Sequence, residues 1–131
     1  MKCPSVAVDG VLIKDNNILL VKRKFEPFKD YWALPGGFVE YGESVEEAII
    51  REFAEETNLD AHVKNLLNVY SNPSRDPRGH TISVVFILQA EGKPISGDDA
   101  IDARFFPIAN LPKLAFDHNH IIVDAIQKLG L

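Results

Sequence analysis

Three glutamates, Glu52, Glu55 and Glu56, fall in the run Arg51-Glu52-Phe53-Ala54-Glu55-Glu56. On a helix each side chain steps by about 100°, so all three lie within about 100° on one face. Glu52 and Glu56 then form an i,i+4 like-charge pair, which costs on the order of a few tenths of a kcal/mol. No lysine follows at i+4 from any of the three. The plain alternative is a solvated acidic face. A face that concentrates acid without a basic partner is better explained by a cation held there. Carboxylate oxygens suit Mg²⁺ or Mn²⁺. Ala48 lies one turn earlier on the same face and leaves room above it, whereas Ile49, Ile50, Phe53 and Thr57 point elsewhere, toward a core.

The neighbouring residues position this face. Ser44-x-x-Glu47 is a capping-box pattern, which predicts a helix starting at Val45. Asn58 falls just past its end, where the chain usually turns left-handed and asparagine is second only to glycine. Trp32-Ala33-Leu34-Pro35-Gly36-Gly37 reads as a short strand running into a backbone turn. Gly36 and Gly37 allow their carbonyls to approach a ligand closely. Strand end, glycine turn and acidic helix form one unit of about 28 residues.

The rest of the chain supplies a sheet and a second helix. Strand-type residues occupy 5–8, 11–13, 18–21, 66–70, 81–90 and 103–106. The longest run, 81–90, is apolar enough for a central position. Ile121, Ile122, Ala125, Ile126 and Leu129 repeat at helical spacing, and Gly130 suits the helix end. A mixed α/β (α+β) fold with two main helices is expected. The loop 71–80 gathers Arg75, Arg78 and His80 among two prolines and a glycine. It reads either as a polar hairpin or as a phosphate contact, since arginine grips phosphate bidentately. His80, at the start of the long strand, is equally suited to a structural role.

Composition sets limits. The 131 residues, 46% of them apolar, fit one domain with a substantial core. The formal net charge of −5 argues against a nucleic-acid partner. No apolar stretch is long enough for a membrane span, and Met1-Lys2-Cys3-Pro4 does not open a signal peptide. The single cysteine, Cys3, has no internal partner and no nucleophile constellation around it. These features favour a cytoplasmic protein.

The segment 37–59 resembles the signature of the Nudix hydrolases, G-x5-E-x7-R-E-U-x-E-E-x-G-U with U apolar. Gly37, Glu43, Arg51, Glu52, Phe53, Glu55, Glu56 and Leu59 match in register, and Asn58 stands where the family has glycine. Residues 19–23 and 31–35 are similar to the family's segment before the box. Residues 71–80 and 114–118 resemble one subset, the ADP-ribose pyrophosphatases. The resemblance implies an α/β/α sandwich, with Glu52, Glu55, Glu56 and a carbonyl of Gly36 or Gly37 as metal ligands. It implies Mg²⁺-dependent cleavage of ADP-ribose, a nucleotide-sugar, to AMP and ribose 5-phosphate. It also implies a homodimer.

Two alternatives stand beside this one. One is a Nudix hydrolase of nucleoside triphosphates or oxidised nucleotides. The other is a non-catalytic ADP-ribose sensor, disfavoured because the chain leaves no room for a DNA-binding module. Arg51 is expected to fix a glutamate by ion pairing, and Glu43 to ligate through water or hold the loop. Phe28 or Tyr31 could stack on adenine, as could Phe116 near His118, which could instead anchor the last helix. The general base is Glu52, another carboxylate of the box, or Asp98 or Asp99 in Ser96-Gly97-Asp98-Asp99-Ala100, which otherwise reads as a turn.

Overall fold

The computed structural model describes residues 2–95 and 100–131. Its elements run β1 (Ser5–Val11), β2 (Ile13–Lys14), β3 (Asn17–Arg23), β4 (Trp32–Ala33), β5 (Gly36–Phe38), α1 (Val45–Thr57), β6 (His62–Tyr70), β7 (Thr81–Gln89), β8 (Ala100–Pro107) and α2 (His118–Leu129). One sheet has the order β5-β1-β7-β6, with β1 and β7 parallel and the other pairs antiparallel. In the other, β3 pairs antiparallel with β2, β4 and β8. The expected mixed sheet and two helices are present.

Alternation along the strands builds two cores. Val8 of β1, Leu19 of β3, and Phe86 and Leu88 of β7 pack with Ala48, Ile49 and Phe53 of α1. Their neighbours Val11, Ile18, Leu20, Val85 and Ile87 pack with Ile121, Ile122 and Ala125 of α2. Successive strand side chains point to opposite faces, so one set of strands carries both helices on opposite sides. Each such buried Val, Leu, Ile or Phe side chain contributes about 1.5–3 kcal/mol. The expectation for the inner face of α1 needs one correction. Ile50 is exposed and Ala48 is buried, because the axis of burial runs through Ala48, Ile49, Phe53 and Thr57.

The start of α1 is fixed as the capping box requires. Ser44 Oγ accepts from Glu47 N at 3.1 Å, and Glu47 Oε1 accepts from Ser44 N at 2.9 Å. β6 begins four residues earlier than its apolar run, because His62 and Val63 pair with Gln89 and Leu88. Two register shifts bend it along the edge. Among the described residues no helix is long and apolar enough to cross a membrane.

Asn58 takes φ 58° and ψ 23° at the end of α1, and its N–H reaches Ala54 O at 2.9 Å. Its side chain also donates to Ile95 O at 2.9 Å. Asn58→Gly relieves the left-handed backbone but forfeits that side-chain bond, so urea unfolding should move by less than about 1 kcal/mol. Asn58→Ala loses both advantages and should cost about 1–2 kcal/mol. An alanine variant as stable as the parent would mean that this cap does not hold the helix end.

Candidate active site

A cavity of about 360 Å³ opens where β5, α1, β1 and the start of α2 meet. Its acidic wall comes from Glu52 and Glu56 of α1, set against Gly36 and Gly37. The glycines are required by proximity. A Cβ on Gly37 would stand 2.6 Å from Glu52 Oε1, and one on Gly36 would strike the Val8 carbonyl and the Asp9 carboxylate. Glu56 is buried, and its Oε1 accepts from Gly36 N at 2.8 Å. The helix carboxylate thus fixes the backbone of the turn directly.

The acidic face has a basic partner, the expected Arg51, which lies N-terminal to the glutamates and pairs with more than one of them. Arg51 Nε and Nη2 donate to Glu43 at 2.7 and 2.9 Å, and Nη1 donates to Glu52 Oε1 at 2.8 Å. Nη1 also reaches Glu55 at 3.3 Å, and Nη2 donates to Phe38 O at 3.2 Å. The hydrogen bonds from Arg51, with one from the Glu40 N–H, lower the Glu43 pKa to about 2. The Glu43 contact, outweighing the burial that opposes it, raises the Arg51 pKa further above its ordinary value. Among the described residues no three His, Cys, Asp or Glu side chains converge into a formed metal centre. The donor chemistry nevertheless fits a hard divalent ion: two carboxylates on a cavity wall beside a side-chain-free turn.

A cationic and aromatic wall also lines the cavity. Phe116 has φ 53°, a left-handed value that an aromatic residue adopts only under constraint. Its ring packs on Phe28 at 4.9 Å, with the guanidinium groups of Arg23 and Arg78 4.9 and 5.4 Å from its centroid. Burial, and then Arg78, lower the Arg23 pKa. Arg78 also lies 5.1 Å from the Phe38 ring and is held by Asp76 at 2.8 and 3.1 Å. Burial disfavours the Asp76 carboxylate, but Arg78 outweighs it and lowers the pKa. Arg75 is nearly buried and gripped bidentately by Asp117 at 2.7 and 2.9 Å. Burial opposes its charge, and Asp117 prevails to raise its pKa.

Between these walls lies a polar floor. Asp9 and His118 are buried, and both line the cavity. Ser83 Oγ donates to one Asp9 oxygen. His118 Nδ1 accepts from Leu34 N at 3.0 Å. Residues 113–115 run beside β4, with Trp32 N bonded to Lys113 O and Ala115 N to Trp32 O. The imidazole therefore continues this pairing one step toward the glycine turn.

The cavity brings together Glu52, Glu56, Gly36, Gly37, Arg75 and Arg78. Arg51 stands behind them as a clamp. Glu55 turns partly to solvent and toward Arg51, away from the cavity lining. Phe28 and Tyr31 also lie outside the lining. They pack edge-on at 5.5 Å, and Phe28 supports Phe116 instead. His80 is exposed, its Nε2 3.0 Å from Ser71 O. Asp98 and Asp99 lie outside the described residues. Sequence reasoning missed Asp9, Arg23 and Ser83. The available signal was Asp9, a lone acid within the strand-like run Ser-Val-Ala-Val-Asp-Gly-Val.

Known proteins resemble this chain in sequence and fold. The chain is 64% identical over 125 residues to the ADP-ribose pyrophosphatase of Methanocaldococcus jannaschii, covering 95% of this chain and 74% of that protein. The NUDIX domain of Shewanella oneidensis NrtR, solved in complex with ADP ribose, superposes with a TM-score of 0.88 at 32% identity, covering 98% of this chain and 90% of that one. A bifunctional NMN adenylyltransferase/ADP ribose pyrophosphatase from Francisella tularensis, solved with AMP and manganese, gives 0.85 at 35% identity. There the match covers 98% of this chain but only 42% of the larger one. The pattern of the NUDIX domain matches residues 4–125, and with the glycine turn and acidic helix in place, the chain belongs to the NUDIX domain family.

Proposed function

We propose that this chain hydrolyses the diphosphate linkage of ADP-ribose, giving AMP and ribose 5-phosphate. The observation that carries the reading is the pairing of two walls in one cavity: Glu52 and Glu56 together with Arg23, Arg78 and Phe116. A diphosphate flanked by sugar and base needs carboxylates for a cation, cationic groups for phosphate oxygens, and a flat apolar surface. The 64% identity to an ADP-ribose pyrophosphatase supports the choice of substrate. Mg²⁺ is the proposed ion, with Mn²⁺ as a substitute; Glu52, Glu56 and a carbonyl of Gly36 or Gly37 would hold it, and Glu55 would join them on turning from Arg51 toward the cavity. When bound, such an ion supplies charge neutralisation of the diphosphate and acidification of a water.

The chain's own residues do the positioning. Arg51 orients Glu52 and holds the Glu43 loop. Glu56 fixes the glycine turn through Gly36 N. Arg78 presents its half-exposed guanidinium to the cavity while Asp76 limits its movement. Asp98 or Asp99 is the proposed general base.

Glu56→Gln keeps an acceptor for Gly36 N while removing the charge. It should leave the unfolding midpoint near that of the parent and lower kcat by about a hundredfold or more. Asp98→Asn or Asp99→Asn should lower kcat by at least about tenfold with Mn²⁺ affinity unchanged. Product analysis with ADP-ribose and Mg²⁺ decides the substrate: AMP and ribose 5-phosphate are expected. Wild-type turnover by Glu56→Gln would remove the metal assignment, and full kcat in both aspartate variants would return the base to the helix carboxylates.

The Glu43–Arg51 contact gives a pH signature. The carboxyl is depressed in the folded chain from about 4.5 to about 2. Its stabilisation is therefore complete above the unfolded value and is lost as pH falls through the folded one. Urea unfolding of Glu43→Gln and parent should differ most above about pH 5, with the gap closing between about pH 4.5 and about 2. A gap that stays constant across that range would show that the ion pair does not contribute.

A homodimer belongs to the same proposal, with 61% exposed Phe25 as independent support. Sedimentation at micromolar concentration should give twice the chain mass; a single-chain mass there would overturn it.

A further inference from the structure

Two polar side chains on the cavity floor have no part in the reading above. One Asp9 oxygen is occupied by the Ser83 hydroxyl, and the other, Oδ1, lies 3.8 Å from His118 Nε2. That separation is too long for a direct hydrogen bond. The imidazole tautomer is set on its far side. Nδ1 accepts from Leu34 N, so in the neutral ring the proton sits on Nε2. Burial lowers the His118 pKa and favours that neutral ring, although Asp9 opposes it. One oriented donor and one oriented acceptor thus face each other across a short gap.

Gly36 packs directly against this acceptor. It pairs with Asp9 across β5 and β1, and a Cβ there would strike the Val8 carbonyl and meet Asp9 Oδ1 at 2.5 Å, so any side chain at this position would displace the carboxylate. The chemistry of the gap is selective. A phosphate oxygen would face the Asp9 charge, and an apolar group would leave both polar atoms unsatisfied. A hydroxyl accepts from His118 and donates to Asp9 at once. The cavity's flat apolar surfaces, Phe25, Phe38 and Phe116, suit a base, which leaves the paired polar atoms of Asp9 and His118 for a hydroxyl of the sugar.

We propose that Asp9 and His118 form a seat for one ribose hydroxyl of the substrate, making them specificity-determining residues; the identity of the sugar rests on the ADP-ribose reading. Either ribose of ADP-ribose could fill the seat. Two analogues distinguish them: one whose terminal ribose is replaced by a tetrahydrofurfuryl group, and one built on 2′,3′-dideoxyadenosine. His118→Asn places a carboxamide oxygen where Nδ1 accepts from Leu34, but deletes the Nε2 proton. Asp9→Asn keeps the size and removes the charged acceptor, giving an independent second variant.

Wild-type kcat/KM should favour ADP-ribose over one of the two analogues by about tenfold or more. His118→Asn and Asp9→Asn should lower kcat/KM for ADP-ribose by about tenfold while leaving that same analogue within about twofold. A purely structural role would lower all three substrates together, and that result, or equal use of all three by the wild type, would overturn the seat. Calorimetric Kd values for the same three ligands, measured with Ca²⁺, separate the two readings. ADP-ribose bound selectively but not cleaved would sink the hydrolase reading and keep the seat. No binding of ADP-ribose by the wild type would sink both.

Discussion

One guanidinium makes the acidic wall possible. Arg51 contacts Glu43, Glu52, Glu55 and the Phe38 carbonyl, and Glu40 at 3.8 Å. Carboxylates gathered around a cavity repel one another, and water cannot screen them fully in a partly enclosed site. A planar, permanently charged group with five donors can serve several at once, which lysine cannot do. Because the same group holds the end of β5, it also fixes where α1 sits against the glycine turn. That placement lets Glu56 reach Gly36 N, and the pairing of Gly36 with Asp9 sets the cavity floor.

The remaining charges follow the same rule of local compensation. Arg75 is held by Asp117 and Arg78 by Asp76, each bidentately. The net charge of −5 therefore says little about the cavity, where acid and base are sorted onto separate walls. The two arginines of the 71–80 loop also differ in what they can offer. Arg75 has 6% of its side chain exposed and acts as a strut between that loop and the start of α2, whereas Arg78 keeps 43% exposed. Identical residue types three positions apart thus have different prospects of meeting a ligand, and burial decides between them.

What could be read from the sequence was local. The capping box at Ser44, the left-handed Asn58 and the register of Glu52 and Glu56 all depend on residues within one or two helical turns. The glycine turn announced itself for the same reason. The floor did not, because it is assembled from distant pieces. Leu34 and His118 are separated by 84 positions, and Asp9 and Ser83 by 74. Arg51 was legible as the ion-pair partner of one glutamate, but its simultaneous hold on Glu43, Glu52 and Glu55 depends on side-chain direction rather than on spacing. The start of β6 was hidden for a related reason. His62 and Val63 join the sheet through backbone pairing to β7, which leaves no mark on the apolar pattern.

The segment before α2 shows how tertiary demands override local preference. Phe116, Asp117 and His118 are consecutive, yet they serve three separate structures: an aromatic wall, the Arg75 strut and the Leu34 N–H. Neither a regular strand nor a regular helix directs three successive side chains in that way. The chain solves the problem with one left-handed residue, φ 53° at Phe116, just before the helix begins. Such a conformation costs an aromatic residue on the order of 1–3 kcal/mol and persists only where the surroundings over-determine it. Here Phe28, itself at φ 62°, supports one part of the ring, and the Arg23 and Arg78 guanidinium groups contact it as well. The strain thus lies where the cationic wall, the loop strut and the cavity floor are joined, and releasing it would loosen all three together.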